Sequence, residues 1–112
     1  EEKEHQYFVR DGENIYIEVR ISYPEAVLGT EVDIPTLDGI STLKVPSGIQ
    51  SGKLLRMRSK GFPLLRRSNK GDQIVRVIVD TPTSISGKTK EIIKKLKDEL
   101  GPTNDSFSKI DL

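Results

Sequence analysis

The stretch Ile15-Tyr16-Ile17-Glu18-Val19-Arg20-Ile21 alternates apolar and polar residues without a break. Successive side chains of a β-strand point to opposite faces, so the three isoleucines and the valine share one face. Tyr16, Glu18 and Arg20 share the other face. Such alternation is typical of a strand that is buried on one side only. The stretch therefore predicts a mainly β fold whose sheet has one solvated face.

Further strands are predicted along the chain. Residues 7–9 form a short strand before the turn signal Asp11-Gly12. A short strand is predicted over 54–58 and another over 74–79. Because 74–79 is the run richest in β-branched residues, we expect it to be the central strand. A loop is expected between these two strands, from Ser59 to Lys70.

A tight hairpin is predicted in the first half of the chain. Asp38-Gly39 lies between the apolar runs 31–37 and 40–45, and this dipeptide favours a two-residue hairpin turn. Pro35 has no N–H to donate to a neighbouring strand. We therefore expect its strand to lie at the edge of a sheet.

Two helices are predicted, one short and one long. The segment 24–29 begins with Pro24 and ends with Gly29, the asymmetry that favours one or two helical turns. Near the end of the chain, Ser86 is a candidate N-cap and Gly101-Pro102 a helix stop. Between them the apolar side chains recur at helical spacing and form one stripe. We call these residues the apolar stripe: Ile92, Ile93, Leu96 and Leu100.

These elements predict a small two-layer β-sandwich with a short inserted helix and a C-terminal α-helix. We expect the sandwich domain to occupy residues 1–83 and the C-terminal helix to lie within 84–101. Residues 102–112 form a tail that is polar apart from Phe107, Ile110 and Leu112.

Composition excludes several classes of protein. The chain has 112 residues, enough for one small domain, and 18 basic residues nearly balance 17 acidic ones. It has no cysteine, which excludes disulfides and thiolate metal sites and fits a reducing compartment such as the cytoplasm. No apolar run is long enough to span a membrane. Met57 is the only methionine, so we interpret the chain as a piece of a longer protein.

No constellation of residues predicts catalysis. His5 is the only histidine and lies among charged residues, so a surface or packing role explains it best. Ser47, Ser51 and Ser59 have no histidine near them in sequence, and Asp33, Asp38 and Asp72 fit turn or capping roles. A partial phosphate-loop pattern at 48–53 lacks the required spacing and precedes a strand. We predict that the chain is not an enzyme.

The stretch from Lys53 to Lys70 is basic. It contains seven lysines and arginines and no acidic residue before Asp72, with Phe62, Leu64 and Leu65 among them. Cations next to an aromatic ring are typical of nucleic-acid binding. The alternative is a solvated strand face followed by an anchored loop. We favour the alternative, because the whole chain is nearly neutral and such binders use several rings.

The apolar stripe allows two interpretations. The helix could pack on its own domain, or it could pair with a copy of itself. Burying four Ile and Leu side chains contributes about 6 to 12 kcal/mol for each chain. Association costs about 4 to 15 kcal/mol, so a dimer is reachable. From the helix alone, both interpretations remain open.

Several short motifs follow one another along the chain: His5–Gly12, Ala26–Gly29, Ile34–Gly39, Val45–Gly52, Lys60–Pro63 and Gly71–Gln73. In this order they resemble the second C-terminal domain of DnaJ-family co-chaperones, which are of the heat shock protein 40 type. The resemblance covers about residues 5–100. It implies a β-sandwich followed by a dimerisation helix.

The resemblance also implies a function. It implies a V-shaped homodimer whose arms hold unfolded polypeptide clients and pass them to a DnaK-type chaperone. The apolar stripe matches the family's helix, so we expect its four residues to form the dimer interface. Phe107 and Ile110 are expected to contact the partner subunit as well.

Other parts of the family's machinery are not in this sequence. It has no His-Pro-Asp motif, so the DnaK-type partner would be reached through a J-domain outside this piece. It has no Cys-x-x-Cys repeat, so we expect no cofactor here, although zinc is possible in a cysteine-rich region elsewhere. We expect a cytoplasmic protein, with the lumen of a eukaryotic organelle as an alternative.

A peptide-binding edge is also predicted. If this piece holds client peptides itself, an extended peptide could add to the edge strand at Val32, Ile34 and Leu37. The alternative is that these residues belong to the core of the sandwich, and their alternation favours it.

Overall fold

A computed structural model describes residues 7–58, 60–61, 71–103 and 106–112. The chain divides into two compact units, Glu1–Thr81 and Pro82–Leu112. Among the described residues, the first unit contains six strands and a short helix, and the second contains one longer helix. The elements are β1 (Val9–Asp11), β2 (Asn14–Ser22), α1 (Tyr23–Leu28), β3 (Thr30–Thr36), β4 (Gly39–Val45), β5 (Leu54–Met57), β6 (Gln73–Asp80) and α2 (Gly87–Leu100).

The strands of the first unit form two sheets. One sheet has four strands in the order β1-β2-β6-β5, and the other is the hairpin of β3 and β4. β1 and β5 pair antiparallel to their neighbours, whereas β2 and β6 run parallel, from Ile15 opposite Gln73 to Ser22 opposite Asp80. The mainly β prediction with two sheets is confirmed, and β6 is a central strand as expected.

The two sheets share one core. Ile34, Leu43 and Val45 of the hairpin meet Ile21, Val75 and Val77 of the four-stranded sheet, and Ala26 and Ile49 complete the buried set. Alternate residues of β2 face the core and the solvent, as the sequence pattern predicts. Ile15 and Ile21 are buried and Ile17 and Val19 pack against the core, whereas Glu18 and Arg20 are exposed. Two layers around one apolar interior make a small β-sandwich.

Several strand boundaries differ from the predictions by one or two residues. The strand expected over residues 7–9 is observed at Val9–Asp11, because the turn at Gly12 pairs Val9 with Tyr16 and Asp11 with Asn14. Gly12 has a φ of 65°, a conformation that glycine adopts without strain. β5 ends at Met57, one residue before the predicted end at Arg58. Its last residue, Met57, is paired with Gln73, where β6 begins.

The hairpin of β3 and β4 places Pro35 in an edge strand, as predicted. Both strands of a two-stranded sheet are edges, so the missing N–H of Pro35 breaks no ladder. Its carbonyl oxygen accepts a hydrogen bond of 3.0 Å from Nε2 of Gln73, a fully buried side chain of the other sheet. This bond joins the two layers at one end of the core.

Local sequence signals account for α1. Ser22 is the N-cap, and its Oγ accepts a hydrogen bond from the backbone N–H of Glu25, while the Glu25 carboxylate accepts one from the N–H of Ser22. This reciprocal pair is a capping box. The hydrogen bond from the Ser22 backbone, with a further one from its hydroxyl, lowers the pKa of Glu25. Gly29 ends the helix with a φ of 84°. A side chain there would crowd the backbone of Val45 and Ser47.

Two glycines hold the turn between β1 and β2. The N–H of Gly61 donates to the carbonyl of Gly71 over 2.9 Å, and both residues are buried. A Cβ atom on either glycine would overlap the carbonyl oxygen of Glu13. The backbone therefore approaches itself here more closely than any other residue type allows. The segment 62–70, which joins these glycines, lies outside the described residues.

Candidate functional site

The apolar stripe lies on a well-capped helix. Ser86 is the N-cap as predicted: its Oγ accepts a hydrogen bond of 3.1 Å from the backbone N–H of Thr89. Gly101 is the C-cap with a φ of 70°, and its N–H donates to the carbonyl of Lys97 over 3.0 Å. Helix ends leave backbone groups unsatisfied, so these two caps explain where α2 begins and ends.

The stripe is exposed throughout. No residue of α2 is buried, although the helix has a distinct apolar face. The exposed fractions run from 39% for Leu96 and 42% for Ile93 to 57% for Ile92 and 60% for Leu100. A helix with one apolar face usually buries that face, since burial is its main source of stability in a protein. The four residues of the stripe therefore form an apolar surface on a helix that is capped at both ends.

The tail residues predicted to contact a partner are also exposed. Phe107 is 91% exposed and Ile110 76% exposed, and neither belongs to a helix or strand. Isolated apolar side chains on a surface are common and by themselves identify no function. The contact of these two residues with a partner subunit stays a prediction.

The structure separates the three residues proposed for peptide binding. Ile34 is only 1% exposed and belongs to the core, and Val32 packs against that core. Leu37 lies in the hairpin turn and is 39% exposed. Val32 and Ile34 are thus occupied between the sheets, as the alternation alone suggested. Binding of a peptide at these three residues stays a prediction.

A groove that the sequence did not reveal lies on the outer face of the four-stranded sheet. It has a volume of about 280 Å³, and its apolar walls are Tyr7, Val9 and Tyr16 on one side and Leu54 on the other. Glu18 and Arg76 line it as well and form an ion pair of 3.4 Å. Alternation in β2 turns Tyr16 and Glu18 outwards, but only the strand order brings Val9 and Leu54 to the same face.

The basic stretch is only partly within the described residues. Arg56 forms an ion pair of 2.6 Å with Asp72, the acidic residue that follows the stretch in sequence. Lys53 and Arg58 are exposed. Phe62 and the cations at 66, 67 and 70 lie outside the described residues. Nucleic-acid binding by this stretch stays an untested alternative.

In the part of the chain that the structure describes, no three histidine, cysteine, aspartate or glutamate side chains are grouped as metal ligands. Neither described helix has the length and apolar character needed to cross a membrane. His5, the only histidine, lies outside the described residues.

Comparison with known proteins identifies the family. The family model of the DnaJ C terminal domain matches residues 1–82, which end where the second unit begins. The chain is 49% identical over 102 residues to the chaperone protein DnaJ of Fusobacterium nucleatum subsp. nucleatum, covering 91% of this chain and 26% of that protein. It is 48% identical over 97 residues to the chaperone protein DnaJ of Salinibacter ruber, covering 87% of this chain and 25% of that protein.

These matches agree with the motifs and with the fold. The chain spans about a quarter of the length of these two relatives. The family model covers most of the chain, including both sheets and α1. The chain belongs to the DnaJ C-terminal domain family.

Proposed function

We propose that this chain is the dimer-forming part of a DnaJ-type co-chaperone and helps to hold unfolded polypeptide for a DnaK-type chaperone. One observation carries the proposal: α2 is capped at both ends and ordered, yet leaves its whole apolar stripe exposed. A second copy of the chain offers the same surface, and two-fold dimers are the commonest homo-oligomers.

The energetics permit such a dimer. Full burial of an Ile or Leu side chain contributes about 1.5 to 3 kcal/mol. The four stripe residues are roughly half exposed, so covering them contributes about 3 to 6 kcal/mol per chain. Two chains together gain about 6 to 12 kcal/mol against an association cost of about 4 to 15 kcal/mol. The balance is close, so the additional burial of Phe107 and Ile110 would strengthen the dimer.

Sedimentation tests the proposal directly. The intact chain is expected to sediment as a dimer, and a chain ending at Thr83 is expected to remain folded as a monomer. The β core lies within Glu1–Thr81 and the stripe does not, so the two properties separate. A monomer for both chains at all accessible concentrations would contradict the dimer proposal.

A single substitution tests the stripe itself. Leu96→Asp places a charge without a partner in the proposed dimer interface, which costs about 3 to 5 kcal/mol of dimer stability. The matched control is Lys94→Asp, which introduces the same side chain on the opposite face of the helix. The proposed dimer interface is supported if Leu96→Asp dissociates the dimer while the sandwich stays folded and Lys94→Asp leaves the dimer intact. Unfolding of the sandwich by Leu96→Asp would mean that the helix belongs to the core.

We propose the outer groove of the four-stranded sheet as the place where this unit contacts clients. Its apolar walls suit the aliphatic and aromatic side chains that unfolded chains expose. Val9 and Leu54 are 68% and 53% exposed, so replacing either removes little of the core. Val9→Asp and Leu54→Asp are expected to weaken binding of a fluorescent apolar peptide. Leu37→Asp, at the hairpin turn, is the control and should bind the peptide normally.

The remaining parts of the proposal concern the whole protein. The DnaJ family groups co-chaperones rather than enzymes, and we propose that this chain has no catalytic activity of its own. Contact with the DnaK-type chaperone would run through a J-domain, and zinc would be held in a cysteine-rich region. Neither the histidine motif nor the cysteines for these parts occur in this chain. We propose a cytoplasmic location, which suits a chain without cysteine.

A further inference from the structure

The outer groove contains a row of side chains that crosses three strands of the four-stranded sheet. Glu18 of β2 lies directly opposite Arg76 of β6, and Arg76 lies directly opposite Leu54 of β5. All three residues line the groove. Arg20 follows two residues after Glu18 on β2, so its side chain lies on the same face of the sheet. The apolar wall at Leu54 is therefore next to a group of charged side chains.

One carboxylate in this group is shared by two arginines. Oε1 of Glu18 lies 3.5 Å from Nη2 of Arg20, and Oε2 of Glu18 lies 3.4 Å from Nη1 of Arg76. The arginine side chains are 61% and 59% exposed, and that of Glu18 is 40% exposed. Within this group, two positive charges face one negative charge. An excess of one positive charge therefore lies beside the apolar walls and remains open to solvent.

The neighbouring arginine on the same face does not add to this excess. Arg56 of β5 lies opposite Ile74 of β6, one row away from Arg76. Its guanidinium forms an ion pair of 2.6 Å with the carboxylate of Asp72. That pair is balanced, so the uncompensated positive charge belongs to the row of Glu18 and Arg76.

We propose that the outer groove prefers extended client segments in which an aspartate or glutamate lies two residues away from an apolar side chain. This inference rests on the proposed client contact at the groove and specifies which segments the groove selects. The apolar side chain enters between Tyr16 and Leu54, and the acidic side chain pairs with Arg76.

The geometry of extended chains sets the spacing of two residues. Side chains on one face of an extended chain recur every second residue, about 7 Å apart. Tyr16 and Glu18 have the same separation along β2, so the rows of the sheet and the side chains of a peptide that runs along the strands match. When the apolar side chain lies at the level of Tyr16, an acid two residues away reaches the level of Arg76. An acid at the next residue points away from the sheet.

The chemistry of the guanidinium favours an acid over a base at this position. A guanidinium has five N–H donors, and Arg76 donates to Glu18 through Nη1 over 3.4 Å. It therefore has further donors for the carboxylate of a client, and arginine can bind a carboxylate through two parallel hydrogen bonds. A lysine of the client would instead meet the excess positive charge and be repelled.

Three fluorescent peptides test the preference in the full chain. Each has a central phenylalanine and serines elsewhere. The first carries two aspartates, each two residues from the phenylalanine, and the second carries them directly next to it. The third carries lysines at the positions of the aspartates in the first. Because an exposed ion pair contributes little, fluorescence anisotropy should show the first peptide binding about 1.5-fold to fivefold more tightly than the second. The lysine peptide should bind most weakly.

Two substitutions should change this preference in opposite directions. Arg76→Gln should bring the ratio of the first two affinities close to one, because the acid loses its partner. Glu18→Gln should raise the ratio, because both arginines lose the carboxylate that they share. Lys44→Gln is the matched control, with the same loss of one positive charge at an exposed position of the other sheet. It should leave the ratio as it is in the unchanged chain.

The outcomes distinguish this inference from the client role on which it rests. Equal affinities for the three peptides, or a ratio that Lys44→Gln lowers as much as Arg76→Gln does, overturn the acidic preference and leave the groove as a client site. Absence of binding for all three peptides, or binding that Val9→Asp does not weaken, overturns the client role of the groove itself.

Discussion

The two units of this chain treat their apolar residues in opposite ways. In Glu1–Thr81, eight residues from both sheets and from α1 and its neighbouring loop close over one core. In Pro82–Leu112, no residue of α2 is buried, although its sequence has an equally regular apolar pattern. The pattern of a segment thus predicts that an apolar face exists. Whether that face becomes buried depends on whether other elements of the fold pack against it.

The largest expected difference between the units concerns their response to truncated side chains. Ile34→Ala removes a buried side chain from the core and should lower the free energy of unfolding of the first unit by about 2 to 5 kcal/mol. Leu96→Ala should leave that free energy unchanged at concentrations where the chain is monomeric. Urea unfolding can be followed by tyrosine fluorescence, because all three tyrosines lie within the first 23 residues. Similar losses in the free energy of unfolding for both variants would contradict this difference between the two units.

Two glycines provide the next comparison. Gly71→Ala should destabilise the first unit by about 2 to 3 kcal/mol, because the new Cβ would overlap the carbonyl oxygen of Glu13. Gly87→Ala is the control at the start of α2, where nothing lies within 4 Å of the added atom. Alanine favours helix by about 1 kcal/mol over glycine, so this control should be neutral or slightly stabilising. Thermal unfolding measured by circular dichroism distinguishes the two. If Gly71→Ala did not lower the stability, the turn at Glu13 would be able to move away from the added Cβ.

A smaller effect is expected at the capping box of α1. Ser22→Ala should cost about 1 kcal/mol, the usual value for the loss of an N-cap side chain. Ser22 lowers the pKa of Glu25 in the folded chain, so the contribution of this carboxylate is present above its unfolded pKa. It is lost as the pH falls through the folded pKa. The difference between Ser22→Ala and the unchanged chain should therefore shrink in acid, as measured by urea unfolding from pH 7 downwards. Alanine keeps the backbone N–H of residue 22, which lowers the pKa of Glu25 most, so a constant difference would contradict the contribution of the Ser22 hydroxyl bond alone.

The smallest expected effect is that of metal removal. We expect EDTA to change neither the midpoint of thermal unfolding nor the dissociation constant of the dimer. In the described residues no metal-ligand group is present, and the sequence has no cysteine. A clear shift in either quantity would point to a metal that the chain binds elsewhere.

Local sequence patterns predicted most of the helices and strands, because residues that are close together in sequence determine where these elements form. Ser86 caps the second helix as predicted, and Gly29 and Gly101 end the two helices where the sequence predicted, whereas the capping role of Ser22 was not predicted. The alternation in β2 was equally readable. The hairpin was predicted too, but its two turn residues are Leu37 and Asp38 rather than Asp38 and Gly39, because Gly39 pairs with Thr36 as the first residue of β4. The start of β1 was not predicted, because it depends on which residue of β2 lies opposite across the turn.

The candidate surfaces were less accessible to sequence reasoning. The alternation of Val32 and Ile34 is the same whether their face is buried or exposed, so the sequence left both interpretations of the predicted peptide edge open. The outer groove was missed because Val9, Tyr16 and Leu54 come from three strands that are distant in sequence. No local pattern contains the order of strands in a sheet.

By itself, the sequence determined the period of each segment, the ends of both helices and the presence of an apolar stripe on the second. These follow from backbone geometry and from side chains within a few residues of one another. Tertiary structure alone decided that β2 lies parallel to β6 and that Gln73 joins the two sheets. It also decided that the stripe is exposed while Ile34 of β3 is buried. Burial depends on contacts between residues far apart in the chain, and their loop-closure entropy and packing are properties of the whole fold.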